Sequence, residues 1–149
     1  MKEIVLRCKC ATPGKCSGEA LTSADMIAFG GTPVLKTGVV GEPNHVLLGK
    51  NIAGKILVYP TGKGSTGDPY SCYFLMKYGN APKAIINRAA NPTTVVAAIL
   101  CDIPMVYECA RDPLAVIETG DWVEVNADEG ILKIRKKDRK LQAKTPKRC

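Results

Sequence analysis

Pro60-Thr-Gly-Lys-Gly-Ser-Thr-Gly-Asp68 follows the apolar run Lys55-Ile-Leu-Val-Tyr59. It holds the ingredients of an anion site: glycines that let backbone amides approach a ligand, hydroxyls at Ser65 and Thr66, and the ammonium of Lys63. A Walker nucleotide loop is excluded. The nearest approach to that pattern, Gly49-Lys-Asn-Ile-Ala-Gly-Lys-Ile56, puts Ile56 where a magnesium-binding hydroxyl is needed and leads into a strand instead of a helix. The loop after Tyr59 supports different chemistry. Amides at a strand exit and the start of a helix favour negative charge, and Lys63 adds a full cation two residues from Ser65. Among such groups a serine alkoxide is less costly, so Ser65 is a candidate base for proton abstraction. A structural alternative stays open, that Ser65 only caps the helix that follows.

Other chemistry-bearing residues are sparse. The single histidine, His45, sits in the loop Glu42-Pro-Asn-His45 and reads as a surface or packing group. No Ser-His-Asp arrangement can be assembled. Seven cysteines include the cluster Cys8-Lys-Cys-Ala-Thr-Pro-Gly-Lys-Cys16, which has neither a Cys-x-x-Cys pair nor a nearby histidine. An odd count without a secretory signal argues against a disulfide framework, so buried reduced thiols are expected. No metal site is assigned to this chain.

The elements that must position the loop follow from periodicity and punctuation. Strands are expected over residues 3–12, ending at Pro13-Gly14, and again at Glu19-Ala-Leu-Thr22. Residues 30–50 are rich in Gly and Pro and read as loop. Strands over residues 54–60 and 83–87 flank a helix from Pro69 to Tyr78 that stops at Gly79. Asn91-Pro92 supplies an N-cap and a first-turn proline for a helix over residues 93–100. Met105-Val-Tyr107 resumes a strand, and Asp121–Val125 with Gly130–Ile134 form a hairpin. Strands at both ends with strand-turn-helix units between them predict an α+β domain, a curved sheet or barrel with helices against it.

Length and charge bound the rest. At 149 residues the chain fits one domain, and no stretch approaches the apolar length of a membrane span, so a cytoplasmic location is expected. The net charge of +7 is local: nine of 21 basic residues lie from Lys133 onward beside one acid, leaving 12 basic against 13 acidic in the body. Residues 136–149 therefore read as a basic, disordered tail after a domain over residues 1–135. Nucleic acid is an unfavoured partner, because that tail has no aromatic residue for base stacking.

Taken in order, several stretches resemble one family. They are Gly18-Glu-Ala-Leu-Thr-Ser23, Phe29-Gly-Gly31, His45 with Leu48-Gly49, Gly54-Lys-Ile-Leu-Val-Tyr-Pro60, Gly62-Lys-Gly-Ser65, Ala81-Pro-Lys-Ala-Ile-Ile86, Asp102-Ile-Pro104 and Thr119-Gly-Asp-Trp-Val123. Over residues 5–135 this is similar to the swivelling-domain small subunit of the aconitase X family. The resemblance implies a swivelling β/β/α domain closing over a larger catalytic subunit that carries an iron–sulfur cluster, with no cluster on this chain. It implies a hydro-lyase of the mevalonate route to isoprenoids. Ser65 would be the proton acceptor, and Gly62, Lys63, Gly64 and Thr66 would shape the substrate site. The implied substrate is a small hydroxy acid, (R)-5-phosphomevalonate first and cis-3-hydroxy-L-proline second. The chain departs from the family at Lys63, where an arginine is usual, and at Gly30-Gly-Thr-Pro33, which lacks the family's aspartate. Those departures leave open a swivel-fold binding module without chemistry.

Overall fold

The computed structural model describes residues 3–138. Eight strands form one mixed sheet: β1 (Glu3–Arg7), β2 (Lys9–Thr12), β3 (Lys15–Thr22), β4 (Ile56–Tyr59), β5 (Ala84–Asn87), β6 (Met105–Tyr107), β7 (Trp122–Asn126) and β8 (Ile131–Arg135). Three helices complete it: α1 (Asp68–Lys77), α2 (Pro92–Leu100) and α3 (Pro113–Val116). The strand order is β1-β8-β7-β3-β4-β5-β6-β2. This is the expected α+β architecture.

One feature of that order fixes the shape. Only Cys8 separates β1 from β2, yet the two strands stand at opposite ends of the sheet. The sheet must curl until its edges meet, giving the barrel-like form. Ala110 N donates to Arg7 O at 2.7 Å across this seam, and Cys8 N, donating to Gly130 O at 2.8 Å, carries the β1–β8 ladder up to it. The single strand expected over residues 3–12 is therefore two strands with different partners, β8 for β1 and β6 for β2. No glycine or proline marks the break, because the chain crosses between edges without turning back.

Two apolar layers follow from strand alternation. Ile56, Val58, Ala84, Ile86 and Val106 face a core inside the curled sheet with Val123, Leu132 and Ile134. Leu57, Tyr59, Ile85 and Met105 face the other way and pack with Cys72, Leu75, Ala97 and Ala98 of the helices. Every residue of β4 and β5 is consequently buried, which explains their unbroken apolar runs. Strands β3 to β6 are parallel and in sequential order, so α1 and α2 lie side by side on one face.

Local chemistry sets the helix boundaries. Asn91 Oδ1 accepts from Thr93 N at 3.0 Å, as the Asn-Pro signature predicts. The N-cap of α1 is Gly67, with no side-chain hydrogen bond, so Ser65 is not the cap. Gly79 follows α1 at φ 77°, a conformation glycine adopts freely. Tyr70 and Tyr78 lie exposed, and Cys72 and Leu75 make the buried contact of α1.

The cysteines depart from expectation. Cys8 and Cys109 form a disulfide across the seam, Cys10 is exposed and Cys16 is half-buried; among the described residues only Cys72 and Cys101 are buried thiols, and Cys149 lies outside them. Barrel closure brings residues 101 positions apart together, which the local Cys spacing does not reveal. Past β8 the chain stays attached at first. Asp121 is buried and its carboxylate accepts from Glu118 N at 2.8 Å, Lys137 N at 2.9 Å and the ammonium of Lys136. Lys136 and Lys137 are thus held to the domain, and the rest of the expected tail from residue 139 on lies outside the described residues.

Candidate functional site

Parallel strands present ligands at their carboxyl ends. There, between β4 and α1, lies the glycine loop. Its entry is pinned by Lys63 N donating to Ile27 O at 3.1 Å, beside a parallel bridge between Ile27 and Gly62. Its exit is pinned by Asp68 N donating to Ser65 O at 3.1 Å. Between these anchors the amides of Gly64, Ser65, Thr66 and Gly67 donate to no acceptor among the described residues. Gly64 has φ 85°, a conformation that favours glycine there. Ser65 is half-buried at the centre of this run, and its hydroxyl has no hydrogen-bond partner among the described residues. The arrangement can bind an anion and can stabilise an alkoxide.

The remaining candidates fall in the same loop with separate roles. Gly62 is buried, and a Cβ placed on it would meet Thr94 Oγ1 at 2.1 Å, so α2 packs against the loop where no side chain fits. Thr66 is exposed at the tip. Lys63 is not a free charge, for its Nζ contacts Glu42 Oε1 at 2.6 Å. Glu42 also accepts from Thr32 Oγ1 at 3.0 Å. The ammonium of Lys63 holds the Glu42 carboxyl below the usual range against partial burial.

His45 proves to be a packing group. It is buried, accepts from Leu47 N at Nδ1 and faces Met26 O with Nε2, so it clasps its own loop to the segment before Ile27. Sequence reasoning missed Asp68, which is buried at the start of α1. Burial pushes its carboxyl above the usual range, while the amides of Gly30 and Phe29 oppose the shift. A polar residue closing each apolar strand, Tyr59 in β4 and Asn87 in β5, was the available signal for the surroundings of Asp68.

Elsewhere the molecule offers less. A concavity of about 480 Å³ opens at the amino end of β3, away from Ser65, where Lys15 and Lys133 face Glu124 and Glu129 in balance. Among the described residues no three His, Cys, Asp or Glu side chains are placed to hold a metal ion. No helix of the described residues is long and apolar enough to cross a membrane.

Known proteins resemble this chain over most of its length. The phosphomevalonate dehydratase small subunit of Methanosarcina acetivorans is 43% identical over 136 residues, spanning 91% of this chain and 94% of that protein. The phosphomevalonate dehydratase small subunit of Methanocella arvoryzae is 45% identical over 121 residues, spanning 81% and 92%. The crystal structure of Thermococcus kodakaraensis aconitase X in its holo-form superposes with a TM-score of 0.84 at 38% identity, covering 89% of this chain and 99% of that one. Residues 5–134 match the family model described as the aconitase X swivel domain. The chain therefore belongs to the aconitase X swivel-domain family.

Proposed function

We propose that this chain is the small subunit of a dehydratase acting on (R)-5-phosphomevalonate, with Ser65 as the proton acceptor. The observation that carries the role of Ser65 is the run of four unpaired amides around it, at the carboxyl end of a buried parallel strand. The relatives named phosphomevalonate dehydratase small subunit support the reaction and the substrate.

The chemistry is an elimination. Amides on Gly64, Ser65, Thr66 and Gly67 lower the cost of the Ser65 alkoxide, as donors aimed at developing charge do in other sites. The alkoxide takes a proton from the carbon next to the substrate carboxylate and becomes a hydroxyl again. The electron pair left behind forms the double bond as hydroxide departs from the neighbouring carbon. The family implies an iron–sulfur cluster on a larger partner subunit, and such a cluster supplies a Lewis acid for the departing hydroxyl. This chain is a poor host for it, with Cys8 committed to Cys109 and no ligand cluster among the described residues. Lys63, tied to Glu42, positions the loop more than it lends a free charge.

Anaerobic co-expression with a candidate large subunit, assayed on 5-phosphomevalonate and on cis-3-hydroxy-L-proline, tests the assignment. Ser65→Ala should abolish turnover while the two subunits still co-purify. Substantial activity in that variant removes Ser65 from the role, and turnover of the proline substrate alone replaces the substrate.

A further inference from the structure

Four polar atoms between the sheet and the helices are buried without a hydrogen-bond partner: Tyr59 Oη, Asp68 Oδ2, Asn87 Oδ1 and Thr94 Oγ1. All four residues are completely buried. They are also grouped. Tyr59 ends β4 and leads into the glycine loop, whereas Asp68 opens α1 and leads out of it. Asn87 ends β5 alongside, and its Nδ2 donates to Tyr59 O at 3.1 Å. Thr94, in the first turn of α2, sets its hydroxyl directly against Gly62. The quartet thus brackets the loop at both ends and from beneath. The Tyr59 hydroxyl lies near Asn87, Asp68 and Thr94, yet it makes no hydrogen bond among the described residues.

Chemistry matches the grouping. Tyr59 and Thr94 bring hydroxyl donors, while Asn87 Oδ1 and Asp68 Oδ2 are acceptors. An enclosed polar site with two to four such partners is the usual home of an internal water. A layer needing only volume would be filled equally by Phe at position 59 and Val at position 94, with no polar group to desolvate.

We infer that Tyr59, Asp68, Asn87 and Thr94 close around internal water into a hydrogen-bonded network that holds the Gly62–Gly67 loop in register, making Tyr59 and Thr94 positioning residues for Ser65. The inference deepens the dehydratase reading and rests on it for its catalytic consequence. The network itself is independent of that reading.

The test uses Tyr59→Phe and Thr94→Val, which remove only the hydroxyl function. In the complex with the large subunit, kcat on 5-phosphomevalonate should fall about a hundredfold with KM little changed, the signature of a misplaced group. In the isolated chain, hydrogen exchange of the Lys63 and Asp68 amides, which anchor the loop, should speed up about tenfold or more without loss of the global fold. Thr94→Ser restores the hydroxyl and should restore slow exchange. Unchanged exchange in both variants, or equal behaviour of Val and Ser at position 94, overturns the network. Faster exchange with unchanged kcat overturns the positioning role. Activity in Ser65→Ala removes the catalytic consequence, and the exchange result still decides the network.

Discussion

The ammonium of Lys63 stands 2.6 Å from the carboxylate of Glu42, 21 residues earlier in the chain. The one cation of the loop over residues 62–67 is therefore shared with an internal carboxylate, itself bonded to Thr32. The pair draws the loop over residues 29–50 toward the Ser65 loop and mutes the charge a substrate would meet.

Glu42→Gln should unmute it. The pair is partly solvated, so the effect is that of a modest ion pair, about 0.5–1 kcal/mol, or a two- to fivefold lower KM for an anionic substrate. Steady-state kinetics of the assembled enzyme measure it. An unchanged or raised KM would mean that Lys63 never faces the substrate.

A methyl group at Gly62 has nowhere to go. Gly62→Ala drives a Cβ onto Thr94 Oγ1 at 2.1 Å, so α2 or the loop must shift. Overpacking of this kind costs about 1–3 kcal/mol. Adding Thr94→Ala should recover part of that loss in a double-mutant cycle read by thermal denaturation. Strict additivity of the two changes would contradict the contact.

Acid sensitivity should trace to Asp121. Burial alone would push its carboxyl up, but the Lys136 ammonium and the amides of Lys137 and Glu118 outweigh it and hold it below the usual range. A folded-state value below the unfolded one gives stability that is fully present above about pH 4 and is lost as pH falls through the folded value. Asp121→Asn should lower stability at neutral pH by about 1–3 kcal/mol and flatten the acid limb of the stability curve, as followed by chemical denaturation across pH.

The Cys8–Cys109 link closes 101 positions of chain. Cross-links over loops this long stabilise by about 2–4 kcal/mol, mainly by restricting the unfolded chain. Reductant, or Cys109→Ser, should lower the melting temperature, and alkylation of the unreduced protein followed by mass spectrometry should find both thiols blocked. Free thiols at both positions would refute the bond.

What could be read from residues alone divides along physical lines. The strand, glycine loop and helix around Ser65 were legible because β4 is buried on both faces, and Gly79 and Asn91-Pro92 punctuate locally. The split at Cys8 was hidden, since crossing between sheet edges needs no turn residue. Helix α3 was overlooked although Asp112-Pro113 repeats the Asn91-Pro92 signature, with Asp112 accepting from Leu114 N at 3.1 Å. The pairing of Glu42 with Lys63 and the convergence of Tyr59, Asp68, Asn87 and Thr94 depend on tertiary placement, which no local pattern encodes.

Because β1 and β2 are consecutive in sequence and terminal in the sheet, the two borders of the sheet meet at Cys8. Among the described residues β1 pairs only with β8 and β2 only with β6, so a second polypeptide finds two outer edges of five and four residues on which to add itself as another strand. Edges so short favour contacts through side chains and loops, a mode that tolerates sliding and rocking. A body joined to its neighbour in that manner can turn upon it and return without breaking a ladder of main-chain bonds.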